Sequence, residues 1–65
     1  MEHAGVAIFN ARTALGMSLN ELARNAKVDP GYLSRVERGK RTPSDHWTRS
    51  VTAALFAAMA EDGAA

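Results

Sequence analysis

The sequence predicts an all-α domain of four to five helices, and three observations carry that reading. Apolar residues recur at intervals of three and four, prolines and glycines cut the chain into segments of helical length, and no run of alternating apolar and polar residues marks a strand. With 65 residues the chain is expected to form one domain, residues 1–65, near the size below which a single core needs support from a partner. It has no cysteine, which excludes disulfides and thiolate metal sites.

Ala4, Ile8, Ala11 and Leu15 repeat at helical spacing, so a first helix covers Ala4 to Leu15, with Ile8 and Leu15 in the core and Gly16 placed to end it. Ser18 precedes Glu21 by three residues, the spacing of a capping box, and Met17 and Leu22 stand where a hydrophobic staple would form. A second helix follows from Leu19 to Ala26, with Leu19, Leu22, Ala23 and Ala26 on one apolar face. Asp29 as cap and Pro30 at the first helical position open a third helix, whose inner residues are Leu33 and Val36 and which Gly39 closes. Only Lys27, Val28 and Asp29 separate the second and third helices, which forces a steep crossing with Val28 at its corner. From Ser44 to about Ala60 a longer pattern sets Trp47, Val51, Ala54, Leu55, Ala58 and Met59 on one side, and residues 61–65 are expected to fray.

Charge divides the chain more sharply than its net +1 implies. All eight basic residues fall between Arg12 and Arg49, against four acids in the same span, so the middle carries +4 and points to an anionic partner. Two short helices joined by a tight turn, the second followed by the basic segment "RGKR", form the helix-turn-helix arrangement that presents one helix to the major groove of DNA. The motif covers about residues 18–38.

The stretch "SLNELARNAKVDPGYLSRVERGKRTPS" resembles the common pattern of the Cro/C1 (XRE) family of bacterial and phage regulators. The resemblance runs without a gap from Arg12 to Ser44. It departs from the pattern at Lys27, where the turn usually has glycine, and at Leu19, where a polar residue is usual. It implies a lambda-repressor-like domain that binds double-stranded DNA, with the first turn and outer face of the third helix reading bases. Mapped onto this chain, those positions are Gly31, Tyr32, Ser34 and Arg35.

Arg35 is the main base reader expected, because its guanidinium can pair with guanine O6 and N7; the alternative is a phosphate clamp. Tyr32 either contacts a thymine methyl or phosphate, or lies along the helix as partial core. Gly31 either admits the backbone close to DNA or is a tolerated weak helix residue, and Ser34 either donates to phosphate or fills a crowded contact. Arg38, Lys40 and Arg41 form the expected phosphate set, joined by the helix start at Ser18 and Leu19 and more weakly by Lys27 and Arg24. In the family an acid at the place of Glu37 pairs with an arginine of the first helix, and Arg12 occupies that place. The pair is therefore assigned to structure.

Val6, Phe9, Trp47, Phe56 and Met59 exceed what a small core needs. Phe9 is expected to complete the core, whereas Trp47, Phe56 and Met59 either pack internally or form a homodimer contact that would allow a palindromic operator to be read. His3 and His46 are isolated from any cluster of metal-ligand spacing, no catalytic motif occurs, and no cofactor or small-molecule effector is expected. The chain has no stretch near the roughly 18 apolar residues that span a bilayer and no signal-peptide pattern, so a soluble cytoplasmic protein is expected. The expected function is a small transcriptional regulator, a repressor of Cro-like or excisionase-like type. The alternative is a protein-interaction module, an antirepressor or antitoxin, on the same fold.

Overall fold

Three of the four helices in this protein start under hydroxyl or carboxylate side chains, and three end at left-handed residues. The computed structural model describes residues 3–63, which form α1 (Ala4–Ala14), α2 (Leu19–Ala26), α3 (Pro30–Glu37) and α4 (Asp45–Gly63). The Ser18 hydroxyl accepts from the Glu21 N–H at 3.0 Å, Asp29 Oδ2 from the Tyr32 N–H at 2.7 Å, and the Ser44 hydroxyl from the Trp47 N–H at 3.1 Å. Each bond satisfies a donor that the helix itself leaves unpaired and stabilises the start by about 1 kcal/mol. Of the predicted capping box, only the Ser18 half is formed among the described residues.

At the other ends Gly16, Lys27 and Gly39 have φ of 70°, 59° and 78°. In each case the following N–H reaches back five positions, from Met17 to the Arg12 carbonyl at 3.1 Å, from Val28 to Ala23 at 2.9 Å and from Lys40 to Arg35 at 2.8 Å. This closure consumes carbonyls that would otherwise be orphaned. At Lys27 it carries the steric cost of a β-carbon in the left-handed region, about 1–2 kcal/mol.

The core draws Ile8 from α1, Met17 from the first turn, Leu22, Ala23 and Ala26 from α2, Leu33 and Val36 from α3, and Val51 and Leu55 from α4. Val28 packs against it at the α2–α3 corner. Three expectations need correction. Leu15 is only partly buried, because α1 ends at Ala14 and leaves Leu15 in the cap. Phe9 is 45% exposed and lies outside the core. The last helix runs past Ala60 through Gly63, there being no glycine or proline after Pro43 to stop it sooner; residues 64 and 65 of the expected frayed tail lie outside the described residues.

Packing holds α3 from behind. α2 and α1 both contact it, and α4 packs on α2 and α1. The α1–α3 crossing is a backbone contact made possible by Gly5, since a β-carbon there would stand 1.8 Å from the Val36 carbonyl oxygen. The side of α3 away from Leu33 and Val36 is left open.

Candidate nucleic-acid interface

Along α3 the burial alternates as a reader helix requires. Leu33 and Val36 are fully buried, Tyr32 and Ser34 are partly buried, and Gly31 and Arg35 are exposed. Thus the four expected base-reading residues lie on one eight-residue helix, but only Gly31 and Arg35 stand fully free of the core. Tyr32 is held edge-on by Trp47, with ring centroids 5.3 Å apart and planes at 73°. Such a contact fixes the orientation of the phenol ring.

Beyond α3 the chain is basic and open. Arg38, Lys40 and Arg41 are all exposed, and Arg38 Nε donates to the Ser34 carbonyl at 3.3 Å across the last turn. Lys27 and Arg24 are exposed at the end of α2, and Ser18 and Leu19 sit at its start, where first-turn N–H groups point outward. One residue was missed as a neighbour of this loop. The His3 imidazole, at the cap of α1, packs over Gly39: a β-carbon on that glycine would stand 2.7 Å from His3 Nε2. Only the chain crossing brings them together, so no local signal in the sequence announces the contact.

Glu37 is turned away from this surface. Arg12 Nε donates to Glu37 Oε2 at 2.8 Å and Arg12 Nη2 to Oε1 at 2.9 Å, while Nη1 donates to the Met17 carbonyl at 2.9 Å. The two side chains are only 11% and 5% exposed, so the pair is largely out of water. The hydrogen bond to Glu37 raises the Arg12 pKa above its ordinary value, with burial opposing it. A bidentate fork of this kind fixes angle as well as distance, so α1, the first turn and the end of α3 are tied together by one guanidinium. Its outer face lies 5.4 Å from the centre of the Phe9 ring.

The three expected contact residues of the last helix separate. Trp47 is partly buried against the core and Tyr32, whereas Phe56 and Met59 are 63% and 49% exposed. These two line an open apolar groove between α1 and α4, with Ala7, Ala11 and Leu55 as its floor and wall. No helix among the described residues is long and apolar enough to cross a membrane.

Comparison with known proteins agrees with this geometry. Residues 8–46 match the family described as Helix-turn-helix, a span that includes α2, the turn and all of α3. Two curated relatives are the transcriptional regulator ClgR of Mycobacterium tuberculosis, from strains CDC 1551 / Oshkosh and ATCC 25618 / H37Rv. Each is 37% identical over 54 residues, covering 83% of this chain and 48% of the relative. The chain therefore spans about half the length of these relatives. No solved structure matches it. Four helices of the lambda-repressor type, an open third helix with a basic loop behind it, and a family match over more than half of the sequence establish that the chain belongs to the Cro/C1 (XRE) family of helix-turn-helix DNA-binding regulators.

Proposed function

We propose that this protein binds double-stranded DNA sequence-specifically and represses transcription by occupying an operator, with α3 in the major groove. The observation that carries the reading is the division of charge around α3. Its one acid, Glu37, is turned inward to Arg12, while Arg35, Arg38, Lys40 and Arg41 remain exposed. Asp29 remains exposed at the helix start as the cap on the Tyr32 N–H, but the basic residues outnumber it, and a surface of this net charge suits a polyanion. Arg35 is assigned to a guanine edge, Tyr32 to a thymine methyl or phosphate from its braced position, and Ser34 to a supporting contact. Arg38, Lys40 and Arg41, with Lys27 and the α2 start at Ser18 and Leu19, are assigned to phosphates.

A single α3 reads few base pairs, so we place two copies on a palindromic operator, with half-sites about one helical turn apart. The homodimer contact is assigned to Phe56 and Met59, with Trp47 contributing inside the chain by bracing Tyr32. The name of the relatives, transcriptional regulator, supports the regulatory part of the reading.

Selection of bound duplexes from a random pool tests it directly. A palindromic consensus is expected; an unenriched pool would overturn it and favour a protein-interaction module that uses the Phe56 groove. Salt dependence adds a second measurement. Arg41→Ala should lower affinity for all sequences alike and reduce the slope of log K against log salt by about one.

A further inference from the structure

Gly31 has no backbone reason to be glycine. It is the second residue of α3 and is not among the residues with positive φ, and glycine weakens a helix relative to alanine. What its missing side chain leaves room for is visible in the structure. A β-carbon at position 31 would stand 3.7 Å and 3.8 Å from Nη1 and Nη2 of Arg35, and 3.1 Å from Asp29 Oδ2. The fork of the guanidinium thus lies over the bare Cα of Gly31, beside the carboxylate that caps the helix at the Tyr32 N–H. Residues four apart share a helix face, and side chains lean toward the N-terminus, which brings Arg35 down onto the first turn.

Among the described residues the guanidinium of Arg35 has no hydrogen-bond or ion-pair partner. Its donors are uncommitted, although the adjacent carboxylate favours its staying near the first turn. That end of a recognition helix is the one that meets base edges.

We propose that Gly31 is a specificity-determining residue that acts by vacancy: it forms a slot on the first turn of α3 in which the Arg35 guanidinium lies, aimed at a guanine. This rests on the reading of Arg35 as the base-contacting residue. A side chain longer than a methyl at position 31 takes the place of the fork and lifts Arg35 off the turn. The phosphate contacts, which lie on other residues, are unaffected.

The test is selection from a random duplex pool, followed by affinity measurements, with the wild type, Arg35→Ala, Gly31→Ala and Gly31→Leu. Arg35→Ala should lose the preference for a guanine at one position of each half-site, a loss of about tenfold or more in discrimination. Gly31→Leu should lose that same guanine, to within about threefold of the other bases, with an unchanged salt slope. Gly31→Ala should fall between the wild type and Gly31→Leu, because a methyl meets the fork only at ordinary contact distance and presses more closely on Asp29 Oδ2.

If Gly31→Leu retains the guanine that Arg35→Ala loses, the slot is wrong and the reading of Arg35 stands. If Arg35→Ala retains the wild-type consensus, the reading of Arg35 fails and the slot falls with it. Far-UV circular dichroism reports folding. Should Gly31→Leu not fold, Gly31→Met takes its place, and a retained guanine preference in it overturns the proposal.

Discussion

Gly5→Ala tests the contact that sets the angle of α3 against α1. The added methyl carbon would stand 1.8 Å from the Val36 carbonyl oxygen and 2.7 Å from its carbon, whereas ordinary contact begins near 3.4 Å. The shortfall of about 1.6 Å falls on backbone, which has no rotamer to change, so α1 must lift from α3 or shift along it. Ile8 and Val36 then lose close packing on either side of the crossing. Overpacking of this kind costs about 1–3 kcal/mol, and backbone collision places this case near the upper end. A domain of this size has a total stability of about 3–10 kcal/mol, and its Tm moves by about 4–8 °C per kcal/mol. A fall of about 15–20 °C is therefore expected in a thermal melt followed by far-UV circular dichroism. Gly16→Ala is the control at the other end of α1: nothing lies within 4 Å of its β-position, and only its φ of 70° is strained. That variant should lose about 1 kcal/mol. A melt of Gly5→Ala within about 2 °C of the wild type would refute the crossing, as would equal losses at the two glycines.

Three other perturbations probe the elements that position the surface. Glu37→Gln should cost about 3 kcal/mol in a urea titration, because it leaves the nearly buried Arg12 without its charge partner; a loss below about 0.5 kcal/mol would mean that the pair is effectively solvated. Lys27→Gly should raise the urea midpoint by the equivalent of about 0.5–1 kcal/mol, the strain at φ 59° outweighing the extra freedom of the unfolded chain. An accompanying loss of DNA affinity would support the phosphate contact proposed for Lys27. Ser18→Ala should cost about 1 kcal/mol through the lost bond to the Glu21 N–H, and no change in the melt would show that the cap contributes nothing.

Where the physics was local, the sequence disclosed it. Ser18, Asp29 with Pro30, and Gly39 act on their own turns, and each helix boundary they mark is found within a residue or two. The buried faces of α2 and α3 follow equally from spacing. Contacts made across the fold were legible only through the family resemblance or not at all. Arg12 and Glu37 lie 25 residues apart, and the expectation that they pair came from the resemblance. Gly5 against Val36, His3 against Gly39 and Trp47 against Tyr32 depend on how helices cross, which no single stretch encodes. Phe9 departs from expectation because apolar character alone does not bring burial. In a chain this small there is not enough core to receive every large side chain, and the ring remains near the surface under Arg12.

The arrangement around Arg12 also bears on how a domain like this can change its target. Its guanidinium ties three segments of the chain through bonds that a lysine could not duplicate, so positions 12 and 37 constrain one another and tolerate little drift. Residues 31, 34 and 35 carry no such obligation to the scaffold. Substitution can therefore accumulate on the outward face without disturbing the joint that aims it. On the proposed reading, new DNA sequences become reachable by single mutations from a protein that is already folded, at nearly constant stability.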